Sequence, residues 1–111
     1  MAGRLTTHAL DTAAGVGAAG MRVALRRGGV EIASAKLDDH GRAVILDAGL
    51  ERGGYELAFH AADYHRARGV ALTDPPFLDV VTIAFGVADP QAHYHVPLLL
   101  SPYAYSTYRG S

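Results

Sequence analysis

Apolar runs in this chain are short, and a glycine, proline or aspartate soon interrupts each one. That rhythm constrains the fold more than any other feature. A helix that packs on a core needs an apolar stripe sustained over ten residues or more, whereas four to eight residues between turn signals suit a strand. "RLTTHALD" reads as a strand, and "TAAGVGAAG" after it as a glycine-rich loop. In "MRVALRR" the residues Met21, Val23 and Leu25 point one way and Arg22 and Ala24 the other. Gly28-Gly29 marks a tight turn before "VEIASAKL", and "DDHG" at 38–41 another before "RAVIL". "GGYELAFH", "FLDVVTIAFGV", "HYHVPLLL" and "YAYSTY" continue the pattern. Only "AADYHRARG" differs, having helix formers, no β-branched residue and a closing glycine.

The expectation is an all-β protein with about eight short strands in a sandwich or barrel and one short helix near 61–69. No repeat or linker divides it, so residues 1–111 are expected to form one domain. Ten Lys and Arg against eleven Asp and Glu, with no basic block, give nucleic-acid binding little support. The absence of cysteine excludes disulfides, a thiolate nucleophile and a thiolate zinc site. No segment approaches the roughly 20 apolar residues of a membrane span, and "MAGRLTTHAL" lacks the apolar run of a secretory signal. A cytoplasmic location is the expectation.

Six histidines are the feature that points to chemistry. His93 and His95 sit two apart on an expected strand, so both project from one face. This spacing suits joint metal ligation, or one base with a neighbour, or simply two side chains facing solvent. His8 lies mid-strand and Arg42 directly after the "DDHG" turn. Taken alone, each reads as an ordinary strand or turn residue. His40, His60 and His65 are expected to face solvent. Gly15, Gly17 and Gly20 have the spacing G-x-G-x-x-G, but a strand follows them, so no helix N-terminus would receive a dinucleotide.

Three segments together carry a resemblance: "LTTHALD", Arg42 after its turn, and "HYHVPLLLSPYAYSTYRGS" at residues 93–111. In order and spacing they resemble the transthyretin-related 5-hydroxyisourate hydrolases over nearly the whole chain. The terminal Tyr-Arg-Gly-Ser is similar to the hydrolases rather than to the carrier transthyretin, which shares the preceding stretch. The resemblance implies two four-stranded sheets with a helix after the fifth strand. It also implies a homotetramer built as a dimer of dimers, with sites in a channel between dimers. The implied reaction is ring opening of 5-hydroxyisourate to 2-oxo-4-hydroxy-4-carboxy-5-ureidoimidazoline in urate breakdown, with no cofactor or metal.

The catalytic positions carried over are His8, Arg42, His95 and Ser111, with Tyr108 and Arg109 joining them in substrate binding. Ala9 departs from the bulkier aliphatic residue common in the family, which implies a packing change only. Either His8 or His95 could take a proton from water, because imidazole titrates near neutral pH. Arg42 could hold oxygen-rich substrate atoms with its planar fork of donors. Two rivals accompany this reading: a small-ligand carrier without chemistry, and a zinc hydrolase using His8, His93 and His95.

Overall fold

Strict alternation in one strand organises half of the molecule. In β1 (Arg4–Asp11) Leu5, Thr7, Ala9 and Asp11 are buried, while Thr6, His8 and Leu10 are turned to the opposite face. The computed structural model describes residues 3–110. Within them β8 (His93–Ser101) runs parallel to β1, which sets Thr6 beside His95 and His8 beside Pro97. β9 (Ala104–Thr107) turns back antiparallel along β8. On the other edge of β1, β2 (Val16–Gly17) and β5 (Arg42–Leu46) pair with it one after the other, Leu10 facing Gly17 and His8 facing Arg42.

The second sheet has the order β4 (Val30–Lys36), β3 (Arg22–Arg27), β6 (Gly53–His60), β7 (Val80–Val87), all antiparallel. Its inward residues Val23, Leu25, Leu57, Phe59 and Val81 meet Leu5, Ala9, Val96, Leu98 and Leu100 of the first sheet in one apolar cluster. Phe59, Leu57 and Leu98 are fully enclosed. Each such side chain contributes about 1.5–3 kcal/mol relative to exposure. The expected β-sandwich with one short helix is therefore the observed architecture, and the face of the first sheet that points away from the core is left to carry chemistry.

Three details depart from expectation. Nine strands are present among the described residues, and the first sheet holds five of them because two residues of the glycine-rich loop form β2. Gly17 permits this: a side-chain carbon there would collide with the carbonyl of His40. The helix α1 (Ala61–Ala67) accordingly follows the sixth strand, and it ends before Gly69, which takes φ of 80°. His65 does not face solvent, being only 2% exposed. Ala61, Tyr64 and His65 lie on one face of α1 by helical spacing, and that face is pressed into the molecule. No helix among the described residues is long and apolar enough to cross a membrane.

Candidate active site

The outer face of the first sheet gathers residues that lie far apart in sequence. β1 and β8 are parallel and in register, so Thr6 and His95 are lateral neighbours, and Arg42 of β5 lies across from His8 on the other side of β1. The result is an open depression of about 420 Å³ lined by Thr6, Asp38, Arg42, Val44, His93 and His95. Thr6 was not singled out in the sequence. Its signal was the period-two relation to His8, but its partners could be known only once β8 was placed beside β1.

Thr6 is the hub of the polar contacts. Its Oγ1 is 2.7 Å from His93 Nε2 and 2.8 Å from His95 Nδ1, so one hydroxyl shares hydrogen bonds with two imidazoles. Both bonds are short. His95 is half-buried, and its imidazole is held below its ordinary pKa. Burial is the largest cause, followed by the positive charges that His93, His8 and Arg42 would place beside an imidazolium. The ring therefore stays neutral at neutral pH, as a proton acceptor must. Among the described residues nothing hydrogen-bonds to its Nε2.

Arg42 is positioned through its backbone. Asp38 Oδ1 accepts the N–H of Arg42 and that of His40, each at 2.9 Å, which closes the turn before β5. Those two hydrogen bonds hold the Asp38 carboxyl below its usual range. Gly41, at φ of 77°, supplies the left-handed residue that the turn requires. Among the described residues no carboxylate pairs with the Arg42 guanidinium, so its donors are available to oxygen atoms in the depression.

His8 shares this face but not the depression's wall. Its Nε2–H donates to the His40 carbonyl at 3.1 Å, so that nitrogen is engaged with the turn before β5. Tyr108 and Arg109 are not gathered with the histidines. Arg109 lays its guanidinium 4.2 Å above the ring of Tyr94, at the flank between the sheets. There, with Tyr108, it lines a separate cavity of about 330 Å³ bounded by Ile83 and Phe85 of β7. Arg109 Nη2 also reaches the His93 carbonyl at 3.4 Å.

Gly110 does return to the site. Its N–H donates to the His95 carbonyl at 2.8 Å, and its Cα packs against the imidazole so closely that a side-chain carbon would have no room. Ser111 lies outside the described residues. The three histidines His8, His93 and His95 do not converge as ligands, because their bonded nitrogens are turned to Thr6 and to the His40 carbonyl. No group of three or more His, Cys, Asp or Glu side chains among the described residues is arranged to hold a metal.

The family model described as the HIUase/Transthyretin family matches residues 5–110. A 5-hydroxyisourate hydrolase 2 of Rhizobium meliloti (strain 1021) is 53% identical, covering 98% of this chain and 97% of its own. Among solved structures, the 5-hydroxyisourate hydrolase of Klebsiella pneumoniae superposes with a TM-score of 0.85 at 33% identity, over 97% of this chain and 99% of that one. An (S)-allantoin synthase superposes with a TM-score of 0.92 at 38% identity. It covers 99% of this chain, which spans 44% of the synthase chain.

Proposed function

The chain belongs to the HIUase/Transthyretin family, and on that premise we propose that it hydrolyses 5-hydroxyisourate to 2-oxo-4-hydroxy-4-carboxy-5-ureidoimidazoline in urate breakdown. The observation that carries this reading is the half-buried imidazole of His95, its pKa lowered by burial, in a depression that also holds a guanidinium with no carboxylate partner among the described residues. A carrier of an aromatic ligand has no use for a proton acceptor beside a guanidinium.

His95 acts as the general base. Water held at Nε2 loses a proton to the ring as its oxygen attacks the carbonyl carbon of the cyclic amide. Such proton transfer contributes about 10²–10⁴-fold. Arg42 faces the carbonyl oxygen, where negative charge grows in the transition state, and its planar fork of donors stabilises that charge. The C–N bond of the tetrahedral intermediate then breaks, and the ring nitrogen leaves with a proton. His8 borders this group, and its closeness disfavours a second cation on His95. Ser111 is proposed to bind substrate beside Gly110, and Tyr108 with Arg109 to anchor that last segment through Tyr94.

A homotetramer built as a dimer of dimers completes the proposal. The depression is open on one side, β9 and β7 leave edges unpaired among the described residues, and the rings of Phe77 and Tyr103 meet at a tilt, 5.9 Å apart, while largely exposed. A second copy would pair an edge and roof the depression into a channel. The test of function is the decay of the ultraviolet absorbance of freshly generated 5-hydroxyisourate, with and without protein. We expect acceleration by the wild type and near-complete loss with His95→Asn. A wild-type protein that leaves the spontaneous decay unchanged would overturn the reading.

A further inference from the structure

A hydroxyl that bridges two imidazoles carries a restriction. Thr6 has one O–H proton and two lone pairs. It can donate to His93 or to His95 but not to both, so at least one of the two rings must present an N–H to it. When His95 is to take a proton at Nε2, its own N–H has to be on Nδ1. That N–H points at Thr6 Oγ1, 2.8 Å away, and the Thr6 hydroxyl then donates to His93 Nε2 at 2.7 Å. Resting on the hydrolase reading above, we infer that Thr6 is a positioning residue that sets the tautomer of His95 and relays its proton to His93.

The relay balances atom by atom. Water gives a proton to His95 Nε2 while its oxygen forms the new bond to the substrate carbon. The Nδ1 proton of His95 passes to Thr6 Oγ1, and the hydroxyl proton passes from Oγ1 to His93 Nε2. His95 is then neutral with its proton on Nε2, and His93 is an imidazolium. Collapse of the tetrahedral intermediate runs the chain backwards. His93 returns its proton through Oγ1 to His95 Nδ1, and Nε2 gives up its proton to the departing ring nitrogen.

The charge has a reason to move. A cation on His95 would be half-buried and close to Arg42 and His8, whereas His93 is exposed and its imidazolium is hydrated. The other groups near the pair are Asp38 below Arg42 and the Arg4–Asp47 ion pair at the start of β1. Arg109 rests on the Tyr94 ring and touches the pair through the His93 carbonyl.

The test compares Thr6→Val, which keeps shape and removes the hydroxyl, with Thr6→Ser, which keeps the hydroxyl. Imidazole nitrogen NMR reads the tautomers directly, without substrate. We expect Nδ1–H on His95 in the wild type and in Thr6→Ser, with loss of that preference in Thr6→Val. We expect kcat to fall on the order of 10²-fold in Thr6→Val, at the low end of general acid–base contributions, with KM little changed and most of the loss recovered in Thr6→Ser. A His95 ring carrying its proton on Nε2 in the resting wild type, or a Thr6→Val protein with wild-type tautomers and kcat, overturns the relay. Failure of the functional reading looks different: a wild type with the expected tautomers that does not accelerate substrate decay. If Thr6→Val is poorly folded, the wild-type spectrum alone still decides the tautomer.

Discussion

Adding one methyl group at Gly110 should inactivate the enzyme while sparing the fold. Gly110 is not among the glycines with positive φ, so alanine is compatible with its backbone and only the contact with His95 is at issue. A Cβ built there lies 3.1 Å from His95 Cγ and nearer still to Cδ2. Comfortable carbon–carbon contact is about 3.5–4.0 Å. The imidazole therefore has to retreat on the order of 1 Å, and a misplacement of that size costs about 10²-fold in rate. The ring cannot swing away without breaking the 2.8 Å bond from Nδ1 to Thr6. The substrate-decay assay should show kcat reduced about 10²-fold in Gly110→Ala. Unfolding free energy should stay within about 0.5 kcal/mol, as for a substitution outside the core. A variant with wild-type kcat would refute the claim that Gly110 holds the position of His95, and with it this account of why a glycine is needed there.

Other outcomes follow from the same geometry. Neutral His95 is the active form and its pKa lies below 6.5, so kcat/KM should hold down to pH values under 6.5 and fall only as pH drops through that lowered value. An acid limb above 6.5 would contradict this. Tyr64→Phe removes the hydroxyl that donates to the buried Asp11 Oδ2 at 2.9 Å. Denaturant unfolding should show a loss of about 1–3 kcal/mol. Asp11 offers a linked test in acid. Burial raises its pKa, but hydrogen bonds from Ala14, Tyr64 and Ala13 and the charge of His65 bring it below 3.8. Its contribution is thus present above that value and lost as pH falls through the folded pKa, and Tyr64→Phe should weaken this acid dependence. Chelation followed by dialysis should leave activity intact, and loss restored by zinc would revive the three-histidine rival.

The sandwich was legible because its long strands advertise themselves locally. "RLTTHALD" and "MRVALRR" alternate, and the glycines fall at the turns. β2 was not legible, since two residues carry no period and their pairing depends on what Gly17 lacks. His65 was misjudged because α1 is too short for a stripe to declare which face is buried. The site was half legible. His8, Arg42 and His95 came from a resemblance, and the structure sets them on one face. Thr6 needed the parallel pairing of β1 with β8, a non-local fact that no window of sequence contains. That Arg109 would rest its guanidinium on Tyr94, where the ring face attracts the cation, was likewise a non-local fact.

The parallel pairing of β1 with β8 also has a consequence during synthesis. Thr6 and His95 are separated by 89 positions, so at 5–20 residues per second β1 waits roughly 4–18 s for its neighbour to leave the ribosome. Until then one edge of a central strand is bare. Pairing across so much chain also has to close a long loop before any contact rewards it. No nascent fragment ending before His93 can assemble the histidine pair. Activity would therefore appear only once β8 has emerged, and ribosome-bound chains stalled upstream should be inert yet prone to stick to one another through that waiting strand.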